Sequence, residues 1–294
     1  MSIVNWGIYL GYGMSYGLKT LLLQVKWLGV EDSWRWAFWL STALGVVLIP
    51  SVFFLIKDPS DKSKSSNYCQ ESAETSKYFF SKCIQPSILF LIIGGTLRNS
   101  AGYAWGYNQV LFLSEKESSE DYNIDLWLMT CTILCGIPGG MLGGYINDKI
   151  KASSTGFIRL KRSLRFVAGA LLLSSPLLTA GFYMELPILF APLFIGYFIT
   201  EMWYGPYLVA VAELFPENSR GQAIGYTVFL LRLIGGNLPS LLIGPLKSSI
   251  DYFWALFILI PGMNILAAII FLAISCIPFT DNERFEKNTD FHEF

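Results

Sequence analysis

Charge is scarce in this chain. Only 15% of its 294 residues are charged and the net charge is -1, whereas a soluble domain carries about 25% charged residues. That balance excludes a broad basic field for nucleic acid and points to lipid as the solvent. Histidine is all but missing: His292, close to the C-terminus, stands alone. Without histidine, and with Cys131 and Cys135 the only close pair among five cysteines, no metal site and no cofactor is expected. Those two cysteines sit one helical turn apart in an apolar run and read as small packing residues. The N-terminus lacks a signal peptide's basic region and a clear cleavage site, and its first apolar run holds Gly7, Gly11, Gly13 and Gly17 instead. No N-x-S/T acceptor and no sorting signal occurs, so nothing selects between a plasma membrane and an endolysosomal one. No phosphate-cradling loop follows a strand pattern, and no nucleophile stands beside a base. The absence of membrane histidine and of a carboxylate pair at span ends argues against a membrane-embedded acyl- or glycosyltransferase, and no enzyme is expected.

What the chain has in abundance is apolar length: 53% of its residues are hydrophobic. About 20 such residues carry a helix across the hydrocarbon core, where every backbone polar group must be satisfied internally. Eight stretches qualify, at residues 4–23, 35–56, 86–113, 124–147, 164–183, 186–212, 222–246 and 252–278. The fold class is therefore an all-α membrane protein with about eight transmembrane helices. Basic residues concentrate on the loop side that holds Lys57, Lys62, Lys64, Lys77, Lys82, Lys149, Lys151, Arg159, Lys161, Arg162, Arg165, Arg220, Arg284 and Lys287. The opposite side has Lys19, Lys26, Arg35, Lys116 and Lys247. Such asymmetry places the richer side, and with it both termini, in the cytoplasm.

One true composition break interrupts the apolar pattern. Residues 57–85 are rich in serine, lysine and glutamate and read as a cytoplasmic linker. The chain then divides into 1–56 with two helices, the linker, 86–278 with six helices, and a cytoplasmic tail at 279–294. Glycines four residues apart, at 7/11, 13/17, 139/143, 140/144 and 221/225, predict close helix contacts.

Three ionisable residues fall deep inside expected spans: Arg98, Glu201 and Arg232. A charge at that depth costs about 2.5–3.5 kcal/mol on insertion scales, so it faces a cavity or another charge. Arg98 shares a helical face with Gly94, Gly102 and Trp105, with Tyr103, Tyr107, Asn108 and Gln109 further along. A guanidinium's fixed fork of donors suits an anionic headgroup. Glu201 has Tyr197 and Tyr204 about one turn away on either side, and Gly205-Pro206 just after. Burial and a neighbouring arginine pull a carboxyl's proton affinity in opposite directions, so Glu201 is a candidate for proton coupling. Arg232, on a face with Gly235 and Gly236, is a candidate for binding substrate or for neutralising Glu201. The plainer alternative is a structural ion pair of Glu201 with Arg98 or Arg232. Trp105, Asn108, Tyr197 and Tyr204 complete the expected binding or coupling set.

Several local patterns resemble the major facilitator superfamily, whose members join two six-helix halves by a long cytoplasmic linker. Trp34-Arg35-Trp36-Ala37-Phe38-Trp39, then an apolar span ending at Lys57-Asp58-Pro59, is similar to that family's sixth helix. Gly143-Gly144-Tyr145-Ile146-Asn147-Asp148-Lys149 resembles the loop between its eighth and ninth helices. Arg220-Gly221-Gln222-Ala223-Ile224-Gly225 resembles the start of its eleventh. Within the superfamily, Phe198-Ile199-Thr200-Glu201 and the segment Leu231 to Pro245 resemble the spinster-like transporters. Arg232 stands where that group usually has histidine, and the acidic residue that follows its glycine is absent here. The resemblance implies an incomplete major facilitator fold, helices five to twelve, with helices one to four missing. It further implies alternating access, proton linkage and an amphipathic lipid-like or organic anion substrate, with the bilayer as the other partner. Gating at the cytoplasmic helix ends is implied for Asp148, Lys149 and Arg220. The incompleteness keeps open an alternative, that the 294-residue product is a transport-incompetent fragment.

Overall fold

The computed structural model describes residues 2–24, 33–55, 85–116, 123–153, 157–215 and 219–277. The expected linker, apart from Gln85, and the expected tail lie outside these residues. Every regular element among them is helical. The chain runs through α1 (Ser2–Gln24), α2 (Ser33–Leu55), α3 (Pro86–Lys116), α4 (Ile124–Ala152) and α5 (Phe157–Tyr183). After these come α6 (Phe190–Thr200), a 3-10 turn (Glu201–Trp203) and α7 (Tyr204–Glu213). Next are α8 (Arg220–Leu230), a π turn (Leu231–Gly235) and α9 (Gly236–Ile250). The order ends with α10 (Tyr252–Phe257), a second π turn (Ile258–Gly262) and α11 (Met263–Cys276).

Local chemistry accounts for the boundaries. Asn123 caps α4 by accepting the Leu126 amide at 3.0 Å, and Asp125 in the first turn with Lys149 and Lys151 in the last complement the helix dipole. Pro206 brings no amide to the Met202 carbonyl, so the hydrogen-bond ladder loosens just where the 3-10 turn separates α6 from α7. Asp251, at φ 80°, makes the sharp corner between α9 and α10.

By length and composition, four stretches could cross a membrane: Ile124–Ala152, Ile158–Tyr183, Arg220–Ile250 and Tyr252–Cys276. The other expected spans are helical too. The α3 helix carries Arg98, Asn99, Asn108 and Gln109, and the stretch around residues 190–213 is split by its 3-10 turn. Large apolar side chains cover the outside, among them Val47, Phe54, Leu173, Leu241 and Ile269. An apolar exterior of that extent suits lipid and would aggregate in water.

The interior holds two apolar clusters stacked along the helices. One joins Ile88 and Leu91 of α3 to Leu164 and Leu171 of α5, Tyr207 and Val211 of α7, and Phe271 of α11. The other joins Ala104, Trp105 and Phe112 of α3 to Phe182 of α5, Leu193 of α6, and Leu256 and Leu259 beyond α9. Arg98 and Glu201 lie in sequence between the stretches that feed the two clusters. Gly139 and Gly143 of α4 admit the 3-10 turn between them. A Cβ on Gly139 would lie 2.7 Å from the Phe198 carbonyl oxygen, and one on Gly143 would lie 2.6 Å from Met202 Cα. Those obstacles are backbone and cannot swing away. Gly143→Val is therefore expected to destabilise the bundle by about 1–3 kcal/mol, the usual cost of overpacking. Thermal unfolding in detergent measures this, and an unchanged midpoint would contradict the close crossing.

Candidate functional site

Between α1, α3, α4, α6, α7 and the first π turn lies a cavity of about 150 Å³. Ligand pockets for whole drug-sized molecules run to about 300–1,000 Å³, so this space matches a headgroup rather than a complete lipid. Seven tyrosines line it: Tyr9, Tyr12 and Tyr16 from α1, Tyr103 and Tyr107 from α3, and Tyr197 and Tyr204. Arg98, Asn99, Gln109, Glu201, Trp203 and Arg232 supply the remaining strongly polar or aromatic wall.

Its two cationic residues have different surroundings. Arg98 is 3% exposed and Glu201 8%, and they form an ion pair with Arg98 Nη2 to Glu201 Oε1 at 3.4 Å. Glu201 also accepts a hydrogen bond from the Tyr9 hydroxyl on its other oxygen. The Arg98 guanidinium lies 5.1 Å from the Trp203 ring centroid, a distance at which the ring's electron-rich face attracts a cation. Gly102, one turn along α3, leaves room for Arg98 Nη1. Arg98 Nε remains buried without a hydrogen-bond partner among the described residues. Arg232 is half-buried, donates to the Tyr103 hydroxyl and lies 5.6 Å from the Tyr103 ring centroid. No carboxylate pairs with it among the described residues. Of the two ion pairs that sequence reading left open for Glu201, the structure forms the one with Arg98.

Five of the expected site residues converge here: Arg98, Glu201, Arg232, Tyr197 and Tyr204. Two do not. Trp105 is buried in the second apolar cluster, behind the cavity wall, with its ring 6.1 Å from that of Tyr197. Its placement corrects the expectation built on helical spacing from Arg98, because the cavity face turns through Gly102 and Gly106. Asn108 donates to the Ala104 carbonyl at 2.8 Å and accepts from the Tyr252 hydroxyl at 3.4 Å, which ties α3 to α10 away from the cavity. Sequence reasoning also missed the α1 tyrosines. Their spacing of three and four residues was a usable signal, obscured by the glycines around them. Gln109 reaches the Tyr16 hydroxyl, so α1 and α3 close one wall together.

The residues expected to gate lie apart from this cavity. Asp148 and Lys149 are exposed at the end of α4, with Lys149 Nζ 4.6 Å from the Tyr145 ring centroid. Arg220 Nε donates to the Phe215 carbonyl at 3.3 Å. An ion pair at that end joins the buried Lys151 to Glu213, two residues that the sequence pattern does not single out for gating. Among the described residues no group of three or more histidine, cysteine or acidic side chains could hold a metal ion.

Comparison with known proteins adds to this geometry. A sequence profile of the Major Facilitator Superfamily matches residues 1–239. The chain is similar to the probable sphingolipid transporter spinster homolog 1 of Arabidopsis thaliana, at 24% identity over 273 residues. That likeness covers 83% of this chain and 54% of the relative, so the chain spans about half of the relative's length. Two crystal structures of a bacterial homolog of the human lysosomal transporter Spinster, inward-facing and either unoccupied or occupied, are similar in fold. They share 17% and 16% identity with a TM-score of 0.52 each, and cover 92% and 94% of this chain and 63% of theirs.

Proposed function

Because the chain belongs to the major facilitator superfamily, a family of membrane transporters, we propose that it serves to carry an amphipathic anion by alternating access. The headgroup enters the tyrosine-lined cavity and binds Arg232, while Glu201 accepts and releases a proton. The observation that carries this reading is the unequal pairing of the two arginines. Arg98 is matched to Glu201, whereas Arg232 turns a guanidinium toward the cavity beside the hydroxyls of Tyr103 and Tyr204, with no carboxylate paired to it among the described residues. A guanidinium without a carboxylate, in a space sized for a headgroup, suits phosphate, sulfate or carboxylate. The likeness to a probable sphingolipid transporter supports an apolar tail on that anion.

Uptake of radiolabelled lysophosphatidate into proteoliposomes containing the chain tests the proposal. Uptake driven by an imposed pH gradient is expected, and Glu201→Gln is expected to leave exchange at zero gradient while removing the gradient's effect. Gradient-driven uptake that survives in Glu201→Gln would remove Glu201 as the coupling group. A second reading is that these 294 residues bind the anion without moving it, and it is favoured by the share of the relatives' length that the chain spans. Saturable binding with no uptake, in the same preparation, would select that reading.

A further inference from the structure

We propose that Asn99 is a positioning residue that holds the π turn at Leu231–Gly235 and thereby aims Arg232 into the cavity. Its functional consequence rests on the reading of Arg232 as the headgroup-binding cation; the geometry stands apart from that reading. In a regular α-helix the amide of Gly235 would bond to the carbonyl of Leu231, four residues back. A π turn bonds five residues back instead, which widens the helix and turns carbonyls away from their usual donors. Asn99 Nδ2 of α3 donates to the Leu231 carbonyl at 2.7 Å. An inserted side chain of this kind is a recognised cause of a break in a helical ladder.

Two further features confine the turn to this shape. A Cβ on Gly235 would meet the Thr96 carbonyl oxygen at 2.9 Å and Asn99 Nδ2 at 3.1 Å, so glycine is what lets α3 come close enough for the bond. Pro239 has no amide to offer the Gly235 carbonyl, which weakens the ladder just beyond. Arg232 lies inside the π turn and donates to Tyr103 across the cavity wall. Removing the extra residue from the turn would rotate one flank against the other by roughly 100°, the advance per residue of a helix with 3.6 residues per turn. Arg232 would then lose its register with the cavity. Adjacent residues of α3 thus have separate tasks: Arg98 pairs with Glu201, and Asn99 sets the direction of Arg232.

The test places a cysteine at position 232 (Arg232→Cys) and measures its labelling by a charged, membrane-impermeant methanethiosulfonate on detergent-purified chain. Peptide mass spectrometry reads that position alone, so the native cysteines do not interfere. Labelling is expected to fall severalfold when Asn99→Ala, or the similarly sized Asn99→Leu, is added. Lysophosphatidate binding is expected to weaken by about tenfold or more in Asn99→Ala, with no further loss in Asn99→Ala/Arg232→Ala, because both act through one charge-assisted contact. Unchanged labelling in both Asn99 variants would overturn the proposal. So would failure of both variants to give monodisperse protein, since a bond that only aims a side chain is dispensable for folding. Reduced labelling together with parental binding in Arg232→Ala would support the positioning role and overturn the headgroup reading instead.

Discussion

Arg98→Ala chain in detergent is expected to unfold at a clearly lower temperature than the parent, with a loss of about 3–5 kcal/mol, the usual cost of breaking a buried ion pair from one side. The size of the effect follows from what is left behind. Glu201 would keep the hydrogen bond from Tyr9 but lose its counter-charge, inside a bundle where it is 8% exposed. Trp203 would also lose the cation beside its ring. Replacing both partners, as Arg98→Met/Glu201→Met, removes the charges together and is expected to recover most of the loss, since apolar side chains of similar volume often match a buried pair. Transport by the double variant should nonetheless be insensitive to a pH gradient. A single Arg98→Ala change that left the unfolding temperature untouched would show that Arg98 does not neutralise Glu201.

Lysophosphatidate binding gives the second large effect. Arg232→Ala is expected to weaken it by about 10- to 150-fold, the equivalent of 1.5–3 kcal/mol for a hydrogen bond to a charged group. Arg232→Lys keeps the charge but loses the fork, so an intermediate loss is expected. Arg232→His adds a sharper test, because spinster-like transporters usually have histidine at this place. An imidazole with an ordinary pKa of about 6.5 is cationic at pH 5.5 and mostly neutral at pH 7.5. The histidine variant should therefore bind the anion more tightly at the lower pH, while the parent arginine stays charged across that range. Equilibrium binding at the two pH values decides it. Pure lysophosphatidate affinity unaffected by Arg232→Ala would end the headgroup assignment.

Much of this molecule can be read from residue order. Long apolar runs interrupted by few charges dictate helices in lipid, because hydrocarbon offers no partner to an unpaired backbone group. Rare intramembrane charges stand out for the same reason, which is why Arg98, Glu201 and Arg232 were legible as a set. Which of them pair was not legible, since helical spacing reports neighbours along one helix and is silent about the facing helix. Trp105 shows the limit well. It shares a helical stripe with Arg98, yet neighbouring aromatic rings draw it into the apolar cluster while the cavity follows Gly102 and Gly106.

Sequence by itself determined the solvent, the helices and the short list of charges, because each depends on the transfer cost of individual side chains. Tertiary structure decided the partners: Arg98 for Glu201, Tyr103 for Arg232, Asn99 for the Leu231 carbonyl, and three tyrosines of α1 for the cavity wall. Those choices depend on helix rotation and on where small residues let backbones approach. A π turn of five residues changes the rotation, and no composition or periodicity announces it.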